Sequence, residues 1–328
     1  MMREISYSEA IREALKEEML KDESVFLLGE DIGFYGGAFG VTRGLIDEFG
    51  PERVKNTPIS ENSFVGVAVG AAMVGMRPIV EIMFMDFITL AMDQIVNHAA
   101  KLHYLYDGQV RIPLVVRTPA GAGRGYGASH SQSLEAWFMH VPGLKIVSPS
   151  TPYDAKGLLK TAIRDNNPVI FIENKLLYAA KGDVPKKEYT IPLGKADIKK
   201  RGKDLTIIAY SRMVHLALEA AEELKGGGVE AEVIDLRSLV PIDMDTVINS
   251  VKKTGRVIVV EEDNLTGGVG AEISSLVNEH VFKKLKAPVR RVASADVPIP
   301  CAPALEQAIL PSKDKLIKIA KEIMMFKR

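Results

Sequence analysis

Short apolar, β-branched runs alternate with amphipathic stretches along almost the whole chain, and the alternation lapses only once. In the first series Val25–Leu28, Ile79–Ile82, Ile112–Arg117, Lys145–Val147 and Val169–Ile172 read as strands. Tyr7–Leu20, Ser63–Val74, Met92–Leu105 and Pro152–Arg164 read as the helices between them. This is the pattern of helices laid on both faces of a largely parallel sheet. From Lys181 to Lys203 the chain turns to Lys, Asp, Glu, Gly and Pro with only short apolar runs, which predicts a linker. A second series follows, with strands over Leu205–Ala209, Ala231–Leu236, Val257–Glu261 and Val289–Val292. Its helices are Met213–Leu224, Asp245–Lys253, Ala271–Leu285 and Lys313–Met325, and Lys225-Gly226-Gly227-Gly228 marks a helix stop. The expected organisation is α/β throughout: a domain over 1–180, a linker over 181–203 and a smaller domain over 204–328. A length of 328 residues accommodates two such cores at roughly 100–200 residues each.

Charge narrows the function classes. The 42 basic and 42 acidic side chains cancel, so the surplus of Lys and Arg that holds nucleic acid or anionic membrane is absent. The longest uncharged stretch, Asn62 to Met76, falls short of the roughly 20 apolar residues that span a bilayer. Cys301 is the one cysteine, and the first residues do not read as a basic segment followed by an apolar one; both features point to the cytoplasm. A net charge of zero also favours association, so a partner subunit is expected.

Two segments carry candidate chemistry. Thr57-Pro58-Ile59-Ser60-Glu61 precedes an uncharged helix rich in small residues: Gly66, Ala68, Gly70, Ala71, Ala72 and Gly75. Ser60 and Glu61 suit a helix start on ordinary grounds. A carboxylate at the mouth of so apolar a helix is also desolvated and readied to share a proton with a ligand nitrogen, which makes Glu61 a candidate acid/base. The second segment, Gly121-Ala122-Gly123-Arg124-Gly125-Tyr126-Gly127-Ala128-Ser129-His130-Ser131-Gln132, matches neither a dinucleotide nor a Walker fingerprint. It follows a strand, where glycine lets backbone approach a ligand, and it ends on a histidine in polar company, so His130 is a candidate proton carrier. Neither HExxH, CxxC nor GxSxG occurs. Met83-Phe84-Met85-Asp86-Phe87 reads by default as core and Asp165-Asn166-Asn167-Pro168 as a turn.

Taken in order, Gly29-Glu30-Asp31, Thr57-Pro58-Ile59-Ser60-Glu61, Val69-Gly70-Ala71-Ala72, Asp93-Gln94, His130-Ser131-Gln132, Pro142-Gly143-Leu144-Lys145, Asp165-Asn166-Asn167-Pro168 and Asp235-Leu236-Arg237 carry a resemblance. The chain resembles the beta subunits of thiamine-diphosphate-dependent 2-oxoacid dehydrogenases from about Ile5 onward. The resemblance implies a transketolase-like fold, with a pyrimidine-binding domain followed by a transketolase C-terminal-like domain. It implies thiamine diphosphate as cofactor, with Mg2+ and the diphosphate held mainly by an alpha subunit through a Gly-Asp-Gly motif that these 328 residues lack. It therefore implies an alpha2beta2 heterotetramer working with a lipoyl acyltransferase core.

Position by position, Glu61 matches the glutamate that hydrogen-bonds the aminopyrimidine N1′, Phe87 an aromatic that packs on that ring, and Met83 a neighbouring wall residue. His130 matches the histidine at the active-site mouth that assists proton transfer when the acyl group passes to lipoamide. Leu114, Ala162, Ile163, Asp165 and Asn167 match positions that bind a potassium ion in some members. For the substrate the resemblance leaves pyruvate or a close 2-oxoacid, acetoin and branched-chain 2-oxoacids open. A subunit that only docks an acyltransferase core, without catalysis, is the reading outside enzymes.

Overall fold

The computed structural model describes residues 1–326, which divide into two compact units. The first comprises Met1–Ala120 and Trp137–Leu193, the second Gly121–Ala136 and Gly194 onward. The glycine-rich segment thus belongs to the second unit, although it follows a strand of the first.

The first unit is built on strands β1 (Met2–Ser6), β2 (Val25–Gly29), β3 (Val54–Asn56), β4 (Arg77–Glu81), β5 (Val115–Ala120), β6 (Lys145–Val147), β7 (Val169–Asn174) and β8 (Lys181–Pro185). Six of them run parallel in the order β6-β7-β5-β4-β2-β3. β2, β5 and β7 are buried at every position, the signature of strands covered on both faces. Helices α1 (Tyr7–Lys21), α2 (Leu45–Phe49), α3 (Glu61–Met73), α4 (Met85–Ile88), α5 (Leu102–Leu105) and α6 (Glu135–Met139) precede α7 (Pro152–Arg164). α1 opens on a capping box between Ser6 and Glu9, and α7 on a Thr151 cap with Pro152 in its first turn. α7 is buried along most of its length, lysines included: Lys156 Nζ bonds Glu13 and Glu17 of α1 at 2.9 and 2.6 Å, and Lys160 Nζ bonds Glu17 at 2.6 Å. The pairing is what permits cations in that interface.

Three differences from the sequence reading have local causes. The expected strand over Ile112–Arg117 starts later, at Val115, because Pro113 has no N–H to donate and the Leu114 N–H turns back onto the Ile112 carbonyl. The expected helix over Met92–Leu105 is split into a wide turn over Asp93–Ala99 and the short α5. At the break the backbone of Gly143 crosses so close that a Cβ there would lie 2.0 Å from the Ala100 carbonyl oxygen. Residues 181–203 carry two strands: β8 pairs antiparallel with β1, and β9 (Asp197–Lys200) joins the second unit. The polar composition of this stretch follows from its place, since β8 sits in a two-stranded ribbon and β9 on a sheet edge.

The second unit continues with β10 (Leu205–Ala209), β11 (Ala231–Asp235), β12 (Ser238–Val240), β13 (Val257–Asn264) and β14 (Arg290–Ser294). Its sheet has the order β14-β13-β10-β11-β9, parallel except for β9. Helices α8 (Met213–Gly226), α9 (Met244–Thr254), α10 (Val269–Val281), α11 (Pro303–Ile309) and α12 (Lys313–Met325) complete it. α8 ends in the expected glycine run, with Gly228 taking the left-handed turn at φ +84. Among the described residues no helix is long and apolar enough to cross a membrane.

At the carboxyl end of the first sheet, Arg117 bonds Glu81 at 2.7 Å and Glu173 at 2.7 and 3.0 Å, all three side chains being buried. Arg117→Ala leaves two buried carboxylates facing each other, and the expected cost is about 3–5 kcal/mol. Lys200→Ala, which removes an exposed pair with Glu222, is expected to cost at most about 1 kcal/mol. Urea unfolding of the two variants beside the parent chain checks the contrast.

Candidate active site

β2 and β4 are neighbours with Gly29 opposite Glu81, so Glu30 and Met83 lie just past the ends of adjacent parallel strands. Open α/β sheets bind ligands at this edge. Gly29 is required there by packing: a Cβ would stand 2.6 Å from the Glu81 carbonyl oxygen.

Glu61 is the first residue of α3 and only 5% exposed. Ser60 does not cap the helix; its hydroxyl bonds Ser63 Oγ at 2.7 Å instead. The helix start is therefore left to the carboxylate, whose charge suits the positive end of the macrodipole. Glu30, also 5% exposed, faces it, and its Oε1 is buried without a hydrogen-bond partner. Burial, with the charges of Glu61 and Asp31 added, pushes the Glu30 carboxyl above the ordinary glutamate range. Two buried carboxylates thus stand at the carboxyl end of the sheet, and the second of them had no assigned role in the sequence reading. The signal available was its place, one residue beyond a strand.

Met83 and Phe87 are half-buried, while Met85, Asp86 and Ile88 between and beside them are buried. Segment 83–87 thus serves partly as core, as its composition suggests, and keeps two apolar side chains accessible. Phe87 is the outer end of an aromatic series. It packs edge-on to Phe84 at 5.9 Å; Phe84 packs on Phe39 at 5.7 Å, and Phe39 stacks on Tyr178 at 5.0 Å. The Tyr178 hydroxyl donates to Glu173 at 2.7 Å. A carboxylate that can hold a proton, beside an apolar wall with an accessible ring, fits the polar edge and flat face of an aminopyrimidine. Among the described residues no group of three or more His, Cys, Asp or Glu is arranged to hold a metal ion.

The five candidate potassium residues gather at the end of α7. The Leu114 carbonyl accepts from Val169, the Ala162 carbonyl from Asp165, and the Ile163 and Asp165 carbonyls accept from Arg77 Nη1 at 2.9 and 3.0 Å. Asp165 Oδ1 accepts from the Asn167 backbone and side chain, both at 2.9 Å, which confirms the turn read from Asp165-Asn166-Asn167-Pro168.

His130 belongs to the second unit, at the end of a loop in which Gly121, Gly123, Gly125 and Gly127 all have positive φ. Its Nδ1 lies 2.9 Å from Ser129 Oγ, and the ring is partly exposed. A cleft of about 470 Å³ runs alongside, lined by Ala128, Gln132, Asn264, Thr266 and Asp296 among others. The loop is held by carboxylates: Glu262 accepts from the Ala122 N–H at 2.7 Å and Glu306 from the Gly123 N–H at 2.8 Å. Behind it Glu135, Glu261 and Asp263 are buried together with Tyr210. Burial and the charge of Asp263 push Glu135 well up, and burial pushes Glu261 up to about 8 against the Gly270 N–H that bonds it.

Residues 3–181 match the transketolase pyrimidine-binding domain, and residues 194–316 match the transketolase C-terminal domain. The pyruvate dehydrogenase E1 component subunit beta of Porphyra purpurea is 51% identical over 98% of both chains. The chain belongs to the beta-subunit family of thiamine-diphosphate-dependent 2-oxoacid dehydrogenases. Within that family the 2-oxoisovalerate dehydrogenase subunit beta of Bacillus subtilis (strain 168) is 48% identical over 98% of this chain and 99% of its own. The acetoin:2,6-dichlorophenolindophenol oxidoreductase subunit beta of the same organism is 47% identical over 99% and 98%. A solved split-gene transketolase, described as an inactive beta4 tetramer, superposes with a TM-score of 0.80 at 26% identity, covering 99% of each chain. The transketolase-like α/β fold expected from the motifs is therefore the fold of this chain.

Glu261 gives a pH dependence whose sign follows from its raised carboxyl. Between the ordinary glutamate range and about pH 8 the native state holds a proton that the unfolded state has released, so stability falls as pH rises through this window. Asp263 adds to the effect and Arg291 opposes it. The thermal midpoint is expected to decline from pH 5 to pH 8.5, and Glu261→Gln, which keeps an acceptor for Gly270, to flatten the decline. An unchanged slope in the variant would place the titration elsewhere.

Proposed function

We propose that this chain is the beta subunit of the decarboxylating component of a 2-oxoacid dehydrogenase complex, acting on pyruvate and passing the acyl group to the lipoyl group of an acyltransferase core. The observation that carries the reading is Glu61: a buried carboxylate opening α3, with Glu30 facing it and Met83 and Phe87 accessible at the same sheet edge. Thiamine diphosphate, when bound, supplies the carbon nucleophile and electron sink that cleavage beside a 2-oxo group requires. Glu61 hydrogen-bonds the N1′ edge of the aminopyrimidine and exchanges a proton with it, and Glu30, whose carboxyl is raised by burial and by the charge of Glu61, stands beside it. Phe87 and Met83 orient the ring and exclude water from its face. His130 delivers a proton at the lipoyl sulfur during acyl transfer.

The catalytic unit in this reading is an alpha2beta2 heterotetramer, with Mg2+ and the diphosphate on the alpha subunit. Two observations support a partner. α3 is apolar on its outer face as well, Val67 being 63% exposed, and Val74, which follows its last residue, is 82% exposed. The split-gene transketolase of the same fold is described as inactive when assembled from beta chains alone. Potassium at the carbonyls of Leu114, Ala162 and Ile163 with Asp165 and Asn167 would brace the end of α7; Arg77 already uses two of these carbonyls, each of which has a second lone pair.

Pyruvate is favoured by the 51% identity to a pyruvate-dehydrogenase subunit, and acetoin and branched-chain 2-oxoacids are the competing substrates. Reconstitution with the alpha partner and assay of all three substrates with one electron acceptor decides among them, with pyruvate turnover expected to dominate. Glu61→Gln is expected to lower that turnover about 10²–10⁴-fold with the fold intact by circular dichroism. Full activity in the variant would sink the assignment and leave a docking role.

A further inference from the structure

Glu306 is the only residue of α11 that is buried, at 2% exposure, and it is charged. Burying a carboxylate where a leucine would pack needs compensation by hydrogen bonds. The partners are backbone: Oε1 accepts from the Gly123 N–H at 2.8 Å and Oε2 from the Gly125 N–H at 3.1 Å. These two glycines lie in left-handed backbone, at φ +99 and +68, which presents their N–H groups to a common anion as in a backbone nest. Glu262 Oε1 takes the preceding donor, the Ala122 N–H, at 2.7 Å. The chain just before α11 presses on the same loop. A Cβ on Gly125 would lie 3.0 Å from the Cys301 carbonyl oxygen, and one on Gly127 2.5 Å from Cys301 Sγ.

A loop with glycine at every second position has no conformation of its own, since each glycine gives up more backbone freedom on ordering than any other residue. Its shape must be imposed from outside, and the groups that impose it are the carboxylates of Glu306 and Glu262. The loop closes on its own base through the Gly121 N–H to the Gln132 carbonyl at 3.3 Å and the His130 N–H to the Gly127 carbonyl at 3.4 Å. Fixing residues 123–127 therefore fixes where His130 stands.

We propose that Glu306 is a positioning residue for His130, its carboxylate holding the glycine loop in the one shape that sets the imidazole for proton transfer to the lipoyl group. The proposal rests on the role assigned to His130 above. Glu306 acts through the loop it holds, where a misplacement of about an ångström costs up to about a hundredfold in rate.

The test uses the reconstituted alpha–beta complex and a lipoyl domain, with two rates measured for each variant: reductive acylation of the lipoyl domain, and substrate oxidation with ferricyanide. Glu306→Ala is expected to lower the first rate about tenfold more than the second. Glu306→Gln, isosteric and still an acceptor through its amide oxygen, is expected to fall between it and the parent, and it carries the test if the alanine variant does not fold. In a His130→Ala background Glu306→Ala is expected to change the lipoyl rate less than twofold, because the group it positions is gone. Equal loss in both assays, or losses that add across the two sites, overturns the positioning role while leaving His130 in place. A His130→Ala complex that acylates the lipoyl domain at the parental rate overturns the role of His130 and the proposal together.

Discussion

Three charged side chains buried at one edge of a parallel sheet organise the first unit. Glu81 and Glu173 come from the ends of β4 and β7 and Arg117 from the middle of β5 between them, and the three side chains pair directly. Ion triads of this kind add little net stability over apolar packing, because desolvation offsets the Coulomb attraction. Their consequence here is geometric. Arg117 orients both carboxylates, Glu173 fixes the Tyr178 hydroxyl, and the Tyr178 ring begins the aromatic series that ends at Phe87. A polar interaction in the core thus sets the position of an apolar wall at the surface. Gly37 belongs to the same design, since a Cβ there would lie 2.3 Å from Glu81 Oε1.

The second unit uses carboxylates differently. Those of the triad pair with Arg117; Glu306 pairs with backbone N–H groups of the glycine loop, and Glu262 accepts from the Ala122 N–H while also pairing with Arg212 at 3.1 Å. Glu261 does the same at the start of α10, accepting from the Gly270 N–H at 2.7 Å, again where a side chain would collide: a Cβ on Gly270 would come within 2.6 Å of Glu261 Oε1. In each place backbone N–H groups offset part of what burying a carboxyl group costs. This makes the loop and the acidic strand β13 parts of one structure, although 121–136 lies far from 257–264 in sequence.

Periodicity made the two sheets and their covering helices legible, because strands such as β2 and β7 open on continuous apolar runs and α12 is amphipathic from Lys313 to Met325, its end points coinciding with the sequence reading. What periodicity does not encode is contact between distant segments. The late start of β5 and the break near Ala100 depend on Pro113 and on the crossing at Gly143. The assignment of 121–136 to the second unit depends on hydrogen bonds to Glu262 and Glu306, which carry no signal near the loop itself. In the candidate site Glu61 was legible from the helix that follows it, whereas the facing carboxylate of Glu30 was visible only as part of a motif. Its influence on Glu61 is a matter of folded proximity.

α3 joins these levels. One face is buried through Phe64, Val65, Ala68, Val69 and Ala72 and holds Glu61 at its first residue; the other shows Val67 to the outside, with Val74 exposed just past the helix end. The stretch is uncharged from Asn62 to Met76, yet within a single chain only one face of the helix is buried. A rigid helix of thirteen residues transmits displacement along its axis. In the proposed reading, a subunit seated on the outer face would bear on the same helix that carries Glu61 at its first residue. Assembly and the Glu61 carboxylate would then meet on one element, which is a physical reason for the proposed divided site to need both chains.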